Sequence, residues 1–205
     1  MPLAVRLNSV WPGAARWLTV SNQLMTNSAV VQIMTGGNLA VSTFTQTAGE
    51  TRINGRLTGS LLVTGGVVQP GNSPGTLVVE EDFVLGDGGK LNMQIVDLAT
   101  FDTIVAENGD FHLGGDMVID MIITEAIGQL FTNEPVTFDM FDLPAGRSII
   151  VDETFSVRGS GAGLIEDFSI DLATGEVAFT AVVPEPVTIG WLTVASLGLL
   201  RRRRR

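Results

Sequence analysis

Short apolar runs rich in β-branched residues alternate with glycine- and proline-bearing breaks along most of the chain. Leu61-Leu62-Val63-Thr64 runs into Gly65-Gly66, Thr76-Leu77-Val78-Val79 follows Pro74-Gly75, and Asp102-Thr103-Ile104-Val105 precedes Glu107-Asn108-Gly109-Asp110. Each run is too short for a helix and is bounded by turn formers, so the pattern predicts an all-β fold. A Gly-Gly step recurs at Gly36-Gly37, Gly65-Gly66, Gly88-Gly89 and Gly114-Gly115, at intervals of 29, 23 and 26 residues. Three of the four copies continue with polar and apolar positions in alternation, as in a strand whose alternate side chains face inward. Units of this size cannot bury an apolar face alone. Stacking them predicts a β-solenoid, with an elongated β-sandwich as the alternative.

The same pattern divides the chain. Residues 1–35 form an N-terminal segment, 36–183 the repetitive body, and 184–205 a tail of different composition. Within the body, Phe131 to Gly163 carries Pro135, Pro144 and the Gly159-Ser160-Gly161-Ala162-Gly163 run, and is expected to form long loops or a capping module. A last strand is expected from Glu176 to Val183, ending at Pro184.

Charge sharpens the division. The 205 residues carry 12 Lys plus Arg and 22 Asp plus Glu, one His and no Cys. Without cysteine there is no disulfide, Cys-ligated zinc, iron–sulfur cluster or thiol nucleophile, and a single histidine cannot build a His-rich metal centre. Residues 50–183 hold 21 acids against five bases (Arg52, Arg56, Lys90, Arg147, Arg158), a net of −16. Such a body repels nucleic acid, which is bound by clustered Lys and Arg, so no nucleic-acid partner is expected.

The tail has three parts in a fixed order. Pro184-Glu185-Pro186 withholds two backbone N–H donors and holds Glu185 in an extended, accessible segment. Val187 to Leu200 follows without a charge, and Arg201, Arg202, Arg203, Arg204 and Arg205 end the chain. As a helix the uncharged span would be about 21 Å long, short of the roughly 30 Å hydrocarbon core, but arginines can snorkel to the headgroups and fix their end in the cytoplasm. Val187, Ile189, Trp191, Leu192, Val194, Leu197, Leu199 and Leu200 spread around the whole circumference of such a helix, which favours membrane insertion over a buried amphipathic or core helix with a solvated basic tail. The body then lies outside the membrane.

Pro-Glu-Pro, a short apolar span and a basic tail resemble the PEP-CTERM protein-sorting domain of Gram-negative bacteria, over residues 183–205. The resemblance implies an address read by an inner-membrane exosortase that cleaves near Pro184-Glu185-Pro186, with the precursor in the inner membrane and the product at the cell surface or in the extracellular matrix. It also implies a link to exopolysaccharide and biofilm, making membrane lipid and extracellular polysaccharide the further expected partners. A second resemblance covers roughly residues 36–120. Phe44-Thr45-Gln46-Thr47-Ala48-Gly49, the run from Gly66 to Leu77, and Phe101-Asp102-Thr103-Ile104-Val105 with Leu113-Gly114-Gly115 look like the repeats of autotransporter-type passengers. That likeness implies a right-handed β-helix with a surface role. Met1 to Trp17 offers no apolar stretch of roughly 7 to 15 residues such as a secretory signal needs, so whether Met1 is the true start stays open.

Enzyme motifs fail on their chemistry. Gly71-Asn72-Ser73-Pro74-Gly75 fits the nucleophile-elbow spacing, but Pro74 has no N–H to donate to an oxyanion. Gly88-Gly89-Lys90 lacks the first glycine of a phosphate loop and has Leu91 where a magnesium-binding hydroxyl belongs. His112 sits in an expected strand without a second histidine. Acid pairs such as Asp116 with Asp120, Asp139 with Asp142, or Glu166 with Asp167 and Asp171 fit solvated turns, and no calcium-loop motif is present. The expectation is a non-enzymatic exported protein without cofactor or metal. A permanently anchored adhesin-like module is the first alternative, and a polysaccharide-degrading enzyme on a β-helical scaffold the second.

Overall fold

The computed structural model describes residues 30–182 apart from 72–73, 123–129, 132–133 and 162–163, together with the backbone of three short strands before them. The described chain is all-β, built around a curled sheet whose strands are almost wholly parallel. The parallel pairing needs no crossover helices, because the rest of each coil serves as the crossover.

Three short strands, β1 (Arg6–Leu7), β2 (Trp17–Thr19) and β3 (Leu24–Asn27), all pair in parallel with β4 (Val30–Gln46). β4 lies in parallel along β5 (Glu50–Val63), and the pairing shifts register between Ile33 and Gly37 and between Ala40 and Thr43. These shifts divide each long strand into three segments. The next coil breaks at the same places into β6 (Gly66–Pro70), β7 (Thr76–Val79) and β8 (Phe83–Leu85), each paired with β5. The following coil supplies β9 (Gly89–Asp97), β10 (Thr100–Phe101) folded back on β9, β11 (Thr103–Ala106) and β12 (Phe111–Leu113). β13 (Asp116–Met121) continues the first stack. β14 (Val136–Asp139) leaves it, β15 (Phe141–Asp142) and β16 (Ile149–Val151) extend the second and third stacks, and β17 (Ser156–Gly161) pairs with β13. β18 (Leu164–Ile170) and β19 (Glu176–Val182) form a separate antiparallel sheet with β14.

The chain therefore visits three stacks in turn, as the coils of a solenoid do. Side chains alternate in burial along each strand, and the inward ones of all three stacks meet in one core. In the third stack Phe44, Leu61, Phe83, Phe111 and Ile149 lie one above the other at paired positions and are all buried. The rings of Phe83 and Phe111 are 5.8 Å apart, and Phe111 meets Phe141 edge-on at 5.1 Å. Such identical-position ladders let each coil bury the apolar face its neighbour leaves open.

The antiparallel sheet covers the late coils. Phe138 of β14 stacks on Phe179 of β19 at 5.5 Å and meets Phe101 edge-on at 5.1 Å, joining the sheet to the core. The turn before β19 also closes exposed parallel edges: Phe141 N–H donates to Gly175 and Ile149 N–H to Leu172.

Two expectations need correction. Phe131 to Gly163 is partly capping, through β14, but it also supplies β15, β16 and β17 of the parallel stacks. The Gly-Gly steps do not share one period. Gly66 pairs with Gly89, and Gly115 follows at the same corner, whereas Gly37 pairs with Gly55 in the second stack, a different corner. β4 also runs continuously through residue 36, so the strands do not begin there.

Candidate functional site

The outer face of the first stack carries acidic, basic, amide, hydroxyl and apolar side chains side by side. Every second residue of β6, β9, β13 and β17 points outward, and parallel pairing aligns them into columns. One column runs Glu50, Val67, Lys90, Asp116, Ser156. Another contains Asn92, Val118 and Arg158, and a third Gln94, Asp120 and Ser160. Between them lies a groove of about 330 Å³, lined by Val67, Lys90, Asn92, Val118, Arg158 and Ser160.

The charges in this face are sorted. Asp116 accepts the Ser156 hydroxyl at 2.7 Å and Asp120 the Ser160 hydroxyl at 2.9 Å, so both acids are engaged across the β13–β17 pair. Arg52, nearer the N-terminal end, is paired with Glu50 at 2.7 Å. Lys90 and Arg158 are exposed, and among the described residues neither side chain makes an ion pair or hydrogen bond. Asn92 donates one Nδ2–H to Gln69 at 3.5 Å, and an amide has a further N–H and a carbonyl oxygen for other partners.

On the second stack, Arg56 reaches across coils to Glu107, which receives both guanidinium nitrogens, and approaches Glu80 at 3.7 Å. The guanidinium holds the Glu107 carboxyl below the usual carboxylate range. This side-by-side geometry is an inter-coil brace. Asp82 and Asp110 brace the next corner, where Asp82 accepts the Asp110 N–H at 3.0 Å and Asp110 the Ser148 N–H at 2.8 Å.

Asp102 is the one fully buried carboxyl among the described residues. One oxygen accepts the Gly75 N–H at 2.7 Å and the other the Gln94 N–H at 2.8 Å, tying two coils together. Burial pushes the group up to about 7, against the downward pull of those two hydrogen bonds.

The acids expected in solvated turns lie mostly on strands instead, Asp116 and Asp120 on β13, Asp139 on β14, Asp142 on β15 and Glu166 with Asp167 on β18, because outward positions of a strand reach solvent as a turn does. Asn72 and Ser73 of the elbow-like run lie outside the described residues. Gly71 has a φ of 70° in the turn between β6 and β7. His112 stands half-buried at an outward position of β12, between Val84 and Ile150 of neighbouring coils. Asp171 accepts the N–H groups of Ala173 and Thr174, which hold it below its ordinary range in the turn before β19. Among the described residues no three His, Cys, Asp or Glu side chains gather as a metal site, and no helix is long and apolar enough to cross a membrane.

The sorting signal (Pro184, Glu185, Pro186), the apolar span to Leu200 and the tail from Arg201 to Arg205 lie outside the described residues. Comparison with protein-family models, with curated proteins and with solved structures finds no match. The groove was not legible as a site in the sequence, where Lys90 stands out only as part of a failed phosphate loop. The available signal was its place at an outward position of an alternating strand.

Proposed function

We propose that the chain is a non-enzymatic structural protein of the cell surface or extracellular matrix, delivered there through its C-terminal segment. In this reading Val187 to Leu200 crosses the inner membrane as a helix, Arg201 to Arg205 stay in the cytoplasm, and an exosortase-type enzyme recognises Pro184-Glu185-Pro186. The body is the cargo: a right-handed β-helix with an acidic surface, suited to a matrix of extracellular polysaccharide.

The observation that carries the reading is the order of the three tail elements directly behind a strand-rich body. β19 ends at Val182, its inward side chains Val177, Phe179 and Ala181 buried, and the composition changes two residues later. A folded cargo followed by an extended proline-flanked step gives a processing enzyme an accessible backbone next to the bilayer. The coiled body supports a scaffold role, since its interior is filled by side chains and its variety lies on the outer columns.

The test is the intact mass of the protein from a Gram-negative host, taken separately from inner membrane, cell surface and medium. A surface or released form lacking the residues beyond about Pro186 is expected. An intact chain ending at Arg205 in the inner membrane would replace sorting by plain anchoring, and an intact cytoplasmic form would overturn export.

A further inference from the structure

We infer that the groove on the outer face of the first stack binds an acidic polysaccharide, a chain of uronate-type sugars, with Lys90 and Arg158 taking its carboxylates. This deepens the matrix reading by naming a ligand class and its residues, and rests on that reading only for where the ligand is met.

In a body of net −16, two of the five bases face one groove and are left without protein partners, while the two acids beside them keep their charge but accept serine hydroxyls and make no ion pair with either cation. A braced arginine such as Arg56 serves the fold, whereas an exposed, unpaired pair of cations is available to an anion. Lys90 lies on β9 and Arg158 on β17, with β13 between them, so the two are about 10 Å apart across the strands. They cannot both serve one small anion. They match two carboxylates spaced along a polymer that runs across the coils.

The lining narrows the polymer. Val67 and Val118 offer half-buried apolar surface between the polar columns, suited to the C–H faces of sugar rings. Asn92 and Ser160 offer amide and hydroxyl groups to ring hydroxyls. An extended pyranose chain repeats at close to the strand spacing, so successive rings can meet successive coils in register. On the groove floor β9 and β13 are hydrogen-bonded on both sides, so a peptide strand would have to add at the rim, on the side of β17 away from β13. Nucleic acid and polyphosphate would bring dense negative charge to a strongly acidic body. A uronate chain brings fewer charges and more hydroxyls.

The experiment uses the full-length chain in mild detergent and measures binding of alginate hexamers by calorimetry, with dextran oligomers and short-chain polyphosphate as comparators. Alginate is expected to bind, more weakly as NaCl is raised, with Lys90→Gln and Arg158→Gln each lowering affinity about threefold and the double variant about tenfold. Arg147→Gln, at an exposed position before β16 on another face, should leave binding unchanged. Unaltered circular dichroism and melting of the variants would confirm that the fold is kept. Absence of alginate binding, equal binding of dextran or polyphosphate, or indifference to the double variant would each overturn the assignment. None of those outcomes touches the sorting reading, which is tested by the mass of the native protein.

Discussion

Between the third and first stacks the chain turns in two residues at 64–65, three at 86–88, two at 114–115 and four at 152–155. Between the first and second stacks the connection runs from one residue inside β5, Asn54, through five at 71–75, to nineteen at 122–140, the last long enough to hold β14. The difference follows from what stands at each corner. At the short corner glycine backbones lie directly on the coil before them: a Cβ on Gly115 would sit 2.4 Å from the Gly89 carbonyl oxygen and 2.6 Å from that of Gly86. At the variable corner of the middle coils the turns are tied by single hydrogen bonds, Gly71 N–H to Ile53 and Thr103 N–H to Gly75, and by one side chain, Asp102. Backbone stacked on backbone fixes length, and a side-chain tether does not.

Breaking the short corner should have the largest effect. Gly115→Val would place a branched side chain against two carbonyl oxygens of the preceding coil and lead into β13, whose Met117, Ile119 and Met121 are fully buried. A loss of about 3 kcal/mol or more is expected in chemical denaturation, from overpacking against atoms that cannot rotate away. A loss below about 1 kcal/mol would show that the corner opens easily and remove the contrast.

This asymmetry also explains what the sequence makes legible. Gly65-Gly66, Gly88-Gly89 and Gly114-Gly115 stand out because each pair sets at least one glycine (Gly65 and Gly66, Gly89, and Gly115) against backbone oxygens of the coil before it. Gly36-Gly37 looks like a fourth copy but turns a different corner, since a glycine pair marks close approach and not which approach. Strands β15 and β16 are obscure for another reason. Phe141–Asp142 and Ile149–Val151 are too short to show alternation, and their strand geometry comes from pairing with β11 and β12. Lys90 and Arg158 are 68 positions apart in the chain. They share a groove only because one coil takes 26 residues from Lys90 to Asp116 and the next 40 from Asp116 to Ser156, and unequal coils leave no fixed period to follow.

The tether should give an intermediate effect with a pH signature. Asp102→Asn keeps the shape but turns an amide N–H₂ toward one of the two donors, Gly75 or Gln94, for an expected loss of about 1 to 3 kcal/mol. The carboxyl is raised from 3.8 to about 7 on folding, so its contribution is complete below about pH 4 and is lost as pH rises through 7. The wild type should therefore gain on Asp102→Asn as pH falls across that window, by at most about 1.4 kcal/mol per unit. Denaturation of both proteins at pH 4.5, 6 and 8 measures this. A gap that narrows on acidification would mean that the two N–H donors, not burial, dominate the site.

Lengthening the variable corner should matter least. The turn after β9 is exposed at Leu98, Ala99 and Thr100, and Asp97 accepts the Ala99 N–H at 2.8 Å, a bond that holds its carboxyl below the ordinary range. Inserting Gly-Ser after Leu98 gives up that exposed bond and adds two residues to a turn that already points into solvent. Loop closure grows only with the logarithm of length, and the combined loss should stay below about 1 kcal/mol. The same insertion after Gly114 must push β13 off β9 or drive the chain through the Gly89 carbonyl, and should abolish cooperative unfolding. Comparing the two insertions by denaturation tests the corners directly, because the inserted residues are identical and only the neighbouring coil differs. Equal losses at both sites would mean that coil length is limited by something common to all corners, such as the core ladders, and not by the glycine contacts.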